Sequence, residues 1–174
     1  NFLSSLKTLV NFAEEPIVEP AAIPLFHISK LARENAIVLL SGEGSDEVFG
    51  GYYLYRFMRN IDILHAVIPR CLYPILKFLG TTFPKDKYQK YLDWLQIPLQ
   101  KRYQGTSSYL TSALKEKYYH NGFINSRSTY LEDCFSSYFK RVKGCDPLMQ
   151  MLYVDSKTWL VDDLLLKADK MTMA

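Results

Sequence analysis

The chain has 174 residues, 48% of them apolar and 22% charged, with a net charge of +3. Those values fit one folded domain or part of one, exclude a disordered tail, and give nucleic acid no basic face to bind. Cys71, Cys134 and Cys145 are odd in number and lack a C-x-x-C, and His27, His65 and His120 are scattered, so we expect free thiols in a reducing cytoplasm and no metal site.

Leu6, Leu9 and Val10 follow Phe2 and Leu3 at helical spacing, predicting a short helix before Glu14-Glu15-Pro16. Pro16, Pro20 and Pro24 mark an extended connection, after which Ile23, Phe26, His27, Lys30 and Leu31 share a helical face. That helix is expected to end near Asn35, with Asn35 in the left-handed conformation. Ala36-Ile37-Val38-Leu39-Leu40 then reads as a strand buried on both faces of a parallel sheet. Helix, buried strand, Gly-rich loop and helix in succession are the grammar of an open α/β sheet, here mostly helical. A single strand needs partners supplied from elsewhere.

Beyond Asp46 nearly everything has helical periodicity. Val48, Phe49, Tyr52 and Tyr53 open a helix that Gly50-Gly51 weakens or marks for close packing. Ile61–Leu79 is the most apolar long stretch, but Asp62, His65, Arg70 and Lys77 make it a poor bilayer span. A buried, proline-bent helical hairpin is expected there, and no membrane association. Segments 85–96, 108–119, 128–141 and 147–161 follow as helices. Their many tyrosines are expected at core edges, rings buried and hydroxyls wet. Lys140-Arg141-Val142-Lys143 suits a helix C-terminus, where cations oppose the dipole. No secretory signal pattern is present.

Ser41-Gly42-Glu43-Gly44-Ser45-Asp46 occupies the position where open α/β sheets bind ligands, just past the carboxyl end of a strand. Gly42 and Gly44 permit a sharp turn and a close approach, and Ser45 or Asp46 could cap the next helix. The loop is neither GxxxxGK[ST] nor GxGxxG. A capped strand-to-helix turn and a ligand loop account for this spacing equally well. Glu43 is the exception, because no neighbour in the chain pairs with it and a turn needs no carboxylate.

The run Leu40-Ser41-Gly42-Glu43-Gly44-Ser45-Asp46-Glu47-Val48-Phe49-Gly50-Gly51-Tyr52 resembles LSGEG[AS]DE[LV]FGGY of the glutamine-dependent asparagine synthetases. Glu14-Glu15-Pro16 with Ala21-Ala22-Ile23-Pro24 is similar to that family's approach to the strand. Asp162 to Ala174 is similar to its D-x-LLK-x-D-[RK]-M-[ST]-MA helix. Through residues 56–155 the likeness is in helical character alone.

The resemblance implies part of an ATP-pyrophosphatase-type domain of the adenine-nucleotide α-hydrolase kind. Its chemistry is asparagine formation from aspartate, ATP with Mg2+, and glutamine-derived ammonia through a β-aspartyl-AMP intermediate. It assigns Ser41 and Gly42 to ATP or the intermediate, Glu43 to catalysis as a general base, and Asp46 to the amino-acid substrate. Lys167, Asp169 and Lys170 would belong to a helix packed against the site, Lys170 standing where the family commonly has arginine. The pyrophosphate loop SGGxDS, the glutaminase's N-terminal cysteine and a catalytic lysine segment are not among residues 1–174. The expectation is therefore a piece of one domain, cut at both ends and inactive alone, from a cytoplasmic protein for which a homodimer is one open assembly. A β-lactam synthetase-like cyclase, a tailoring amidotransferase and a non-enzymatic interaction module are the rival readings.

Overall fold

The computed structural model describes residues 2–15, 19–76, 94–106, 118–119 and 133–173. In chain order run helices α1 (Phe2–Ala13), α2 (Ala22–Ala32), α3 (Ser45–Phe49), α4 (Tyr53–Val67), α5 (Leu99–Arg102), α6 (residues 133–141), α7 (Pro147–Lys157) and α8 (Leu166–Thr172). A 3-10 turn covers Arg70–Leu72, and a π-helix over Leu160–Leu165 leads into α8. Two compact units result, Asn1–Phe49 with Ser156–Ala174, and Gly50–Asp155.

The first unit packs α1, α2 and α8 around Leu9, Ala13, Ala22 and Met171, with Ile23, Leu25 and Phe26 against them. The expected helices are both present. Pro24 falls in the first turn of α2, where its missing N–H takes nothing from the helix ladder. The helix does end near Asn35, α2 stopping at Ala32 and its last turn closing with the Ala36 amide on the Ala32 carbonyl at 2.8 Å, but Asn35 is not left-handed. The left-handed residue is instead Glu14, at φ 58°, closing α1 through its amide on the Val10 carbonyl.

The strand expected at 36–40 is corrected as well. No strand occurs among the described residues, and Ile37, Val38, Leu39 and Leu40 are 89, 78, 58 and 100% exposed. A strand exists by pairing, and no described segment pairs with this one, so its apolar side chains stay at the surface. The mostly helical character does stand.

In the second unit, Tyr55, Met58, Leu99, Tyr103, Phe139, Met151 and Val154 form the core. Gly50-Gly51 separates α3 from α4, with Gly50 at φ 73°, and a Cβ there would meet Leu148 at an ordinary 3.5 Å, so of the two effects expected of the pair the break is the one observed. Asp155 is fully buried on α7 and accepts hydrogen bonds on Oδ2 from Tyr55 (2.6 Å), Tyr103 (2.5 Å) and Thr106 (2.5 Å). These two tyrosines therefore depart from the expected wet hydroxyl: the hydroxyl is buried because a buried carboxylate takes it. Arg102 donates to Asp62 (3.0 Å) and to the carbonyls of Ile97 (2.9 Å), Trp94 (3.2 Å) and Met58 (3.3 Å).

The proline-bent hairpin at 61–79 is only partly as expected. Pro69 does separate α4 from the 3-10 turn, but Ile63, Leu64, Val67 and Ile75 are exposed rather than buried. The basic run does lie at the end of α6. Residues 77–93, 107–117 and 120–132, which carry much of the other expected helices, lie outside the described residues. Among the described residues no helix is long and apolar enough to cross a membrane.

Candidate functional site

The loop is built around one turn. The Ser45 amide and hydroxyl both donate to the Gly42 carbonyl, at 3.1 and 2.6 Å, and Gly44 takes φ 86° as its third residue. Only glycine adopts that conformation without strain. A side chain at Gly44 would also meet Leu160 of the π-helix at 3.3 Å. The expectation for Gly42 is weaker in fact: its φ is not positive, and a Cβ there would meet Ser45 Oγ at an ordinary 3.7 Å. Ser45 opens α3, but its hydroxyl points back to Gly42 instead of capping the helix amides.

Ser41 and Gly42 are exposed at the loop's rim, Ser41 Oγ lying 3.4 Å from the Glu43 amide. Among the described residues no acceptor takes the amide hydrogens of Gly42 or Gly44. Open amides on a glycine turn suit an anionic oxygen. Asp46 is exposed in the first turn of α3, and Glu47 beside it is turned inward, 1% exposed. Sequence reasoning passed over Glu47, since its inward direction follows from the turn geometry and leaves no local spacing signal.

Glu43 does have a partner, contrary to the expectation from its neighbours in the chain. Its Oε1 lies 3.3 Å from the ammonium of Lys167 in α8, whose side chain is 3% exposed. The same ammonium donates to Glu19, on the segment before α2. Burial works against the Lys167 ammonium, but the Glu19 hydrogen bond and the charges of Glu19 and Glu43 outweigh it, so its pKa lies above the ordinary lysine value. Asp163 lies near the pair without an ion pair to it: burial first, then the charge of Glu19, pushes its carboxyl pKa up, with Lys167 opposing and Glu43 adding to the rise. One turn further along, Lys170 donates to Glu14 at the end of α1, so it is paired with a single exposed carboxylate.

Three stretches far apart in the chain thus meet within the first unit: Glu14 and Glu19, the glycine turn with Glu43, and Asp163, Lys167 and Lys170. These are the three stretches singled out in the sequence. The contribution of Glu19 and Asp163 was missed, because a contact made across the chain has no periodicity to read. A separate cavity of about 700 Å³ lies within the second unit, lined by Ile97, Lys101, Phe135, Phe139 and Lys140 among others, and includes none of the expected site residues.

Comparison with known proteins identifies the family of the chain. The family model for asparagine synthase matches residues 1–174. "Asparagine synthetase [glutamine-hydrolyzing] 1" of Bacillus subtilis (strain 168) is 35% identical over 174 residues, 99% of this chain and 27% of that protein. The "Putative asparagine synthetase [glutamine-hydrolyzing]" of Mycobacterium bovis is 34% identical over 178 residues, 99% of this chain and 26% of that protein. One from Methanocaldococcus jannaschii is 34% identical over 74 residues, 42% of this chain. The chain therefore spans about a quarter of the length of the curated relatives it matches. No solved structure matches it. The match over the whole chain shows that the chain belongs to the asparagine synthase family.

Proposed function

We propose that this chain forms part of the ATP-dependent site at which an asparagine synthetase makes the amide of asparagine from aspartate and glutamine-derived ammonia. The observation that carries the reading is the placement of Glu43: held by a buried lysine, yet 29% exposed, beside open loop amides. Activating a carboxylate as its adenylate develops negative charge on oxygen, which preorganised N–H donors stabilise. Displacing AMP by ammonia releases a proton, which a fixed carboxylate can accept. The Gly42 and Gly44 amides and the Ser41 hydroxyl supply the first requirement, Glu43 the second, and Asp46 an exposed carboxylate for the amino-acid ammonium. We assign the fold of the whole domain to the adenine-nucleotide α-hydrolase kind and its location to the cytoplasm.

Among the described residues no group of three or more His, Cys, Asp or Glu is gathered to hold a metal ion. Magnesium belongs in this reading to the phosphates of the substrate ATP, and no step is derived through it.

The full-length polypeptide, supplied with Mg-ATP, aspartate and either glutamine or ammonium, is expected to release AMP, pyrophosphate and asparagine in equal amounts. Adenylation of another carboxylate with none of aspartate would transfer the site to a cyclase or tailoring amidotransferase. No nucleotide binding at all would leave an interaction module.

A further inference from the structure

Lys167 is met by two carboxylates, of Glu19 and Glu43, and they differ in what they do for it. A buried ammonium needs a counter-charge, and Glu19, which takes its hydrogen bond, already provides one. The second approach, to Glu43 at 3.3 Å, is more than neutralisation requires. Its effect falls on the other partner. Glutamate has three side-chain torsions, and at an exposed turn nothing else among the described residues restrains those of Glu43. The lysine is itself fixed, because α8 packs its Met171 against Leu9, Ala13 and Ala22 and its ammonium is anchored on Glu19. A rigid cation held from behind therefore sets where the carboxylate on the loop can stand.

We infer that Lys167 is the positioning residue for Glu43, holding its carboxylate over the Gly42–Gly44 turn from a mount made by Glu19. This rests on the reading of Glu43 as the proton acceptor. Lys167 acts through Glu43, and Glu19 acts through Lys167. Both Glu19 and Lys167 belong to the segments that the family likeness covers, yet neither has a contact that its own neighbours in the chain foretell.

The test uses the full-length polypeptide and steady-state asparagine formation from ammonium. Lys167→Met keeps the stem and removes the charge. It is expected to lower kcat about tenfold to a hundredfold, as a misplaced catalytic group does, while KM for ATP and for aspartate stays within about twofold. Lys167→Arg, whose fork can span two carboxylates, is expected to keep a third or more of the parental kcat, by roughly the margin a retained charge gives. In a Glu43→Gln background Lys167→Met is expected to bring less than about a twofold further loss, because residues acting as one unit are not additive. Equal losses in both backgrounds overturn the positioning role, as does a rise in KM with kcat unchanged. If Lys167→Met does not fold, a folded Lys167→Arg as slow as Glu43→Gln overturns it too. The two readings separate cleanly. Glu43→Gln at the parental rate removes the catalytic reading of Glu43, whereas a slow Glu43→Gln beside a fast Lys167→Met removes only the role of the lysine.

Discussion

In the first unit the buried charge, Lys167, is met by carboxylates that still reach solvent, Glu19 at 26% and Glu43 at 29% exposure. In the second the buried charge, Asp155, is met by the hydroxyls of Tyr55 and Tyr103, each as enclosed as itself, and by Thr106. A buried ion whose partners open outward can act on something that arrives from solvent. One whose partners are sealed can only tie its own helices together. Asp155 joins α4, α7 and the stretch after α5 at a single oxygen, Oδ2. The polar cluster of the first unit is therefore the one to associate with chemistry, and that of the second with stability.

Substitutions can break this division. The largest expected effect is on rate in the first unit: Glu43→Gln in the full-length polypeptide is expected to lower asparagine formation by about 10²–10⁴-fold, the range for a lost general base, with its melting temperature unmoved. A melting temperature that falls along with the rate would place Glu43 among the structural groups. In the second unit, Asp155→Ala strands three hydroxyls, two of them buried, and is expected to cost about 2–4 kcal/mol in urea unfolding. The folded fraction should bind substrates as the parent does, and a selective loss of activity would erase the contrast.

Asp155 also predicts a pH dependence of definite sign. Burial raises its carboxyl pKa in the folded state, against the opposing hydrogen bonds of Thr106, Tyr103 and Tyr55. The folded chain then holds the proton to higher pH than the unfolded chain does. Between the two pKa values the folded state binds more protons, so this group's contribution to stability falls as pH rises from the ordinary carboxylate range into the raised one. Asp155→Asn cannot titrate, and the difference in unfolding free energy between it and the parent should shrink across that window. An unchanged difference would show that the carboxyl is not perturbed.

Smaller effects sharpen the comparison. Gly44→Ala combines a φ of 86° with a 3.3 Å approach to Leu160, and is expected to cost about 1 kcal/mol, measured by thermal unfolding. Gly42→Ala lacks both features and should be distinguishable by costing less. Lys170→Ala removes a pair made with an exposed carboxylate, which solvent and salt screen. It should leave the melting curve where it was, whereas Lys167→Ala shifts it.

What could be read in the sequence was whatever depends on near neighbours. Leu6, Leu9 and Val10 report α1 because their spacing matches one helical face, and Gly50-Gly51 reports the break because glycine alone takes φ 73° so readily. Ile37–Leu40 reads as a buried strand by composition, but burial and pairing are properties of a partner, and the described residues hold none for it. The loop stood out in the sequence, as did the segment with Lys167 and Lys170. That Lys167 meets Glu43 and Glu19 at one ammonium could not be read, because three separate backbones must first be placed to bring them together. Asn35 shows the reverse error, a residue type that tolerates the left-handed conformation at a helix end that did not need it, while Glu14 took that conformation instead.

The π-helix at Leu160–Leu165 has a consequence for insertion and deletion. A π-turn accommodates one residue more than an α-turn over the same span. Loss of a single codon within it could be absorbed by relaxation to an ordinary α-helix, with little loss of helical hydrogen bonding. With α8 anchored by Met171 and Lys167, the wide turn takes up the missing residue, so the residues before the deletion keep the face they present. Leu160 would stay against Gly44 and the glycine turn would keep its shape. In a regular α-helix the same loss turns everything before it by about 100°, so a one-residue deletion after Leu160 is expected to spare both the helix and the loop, and this segment is the place in the first unit where the chain tolerates a change of length.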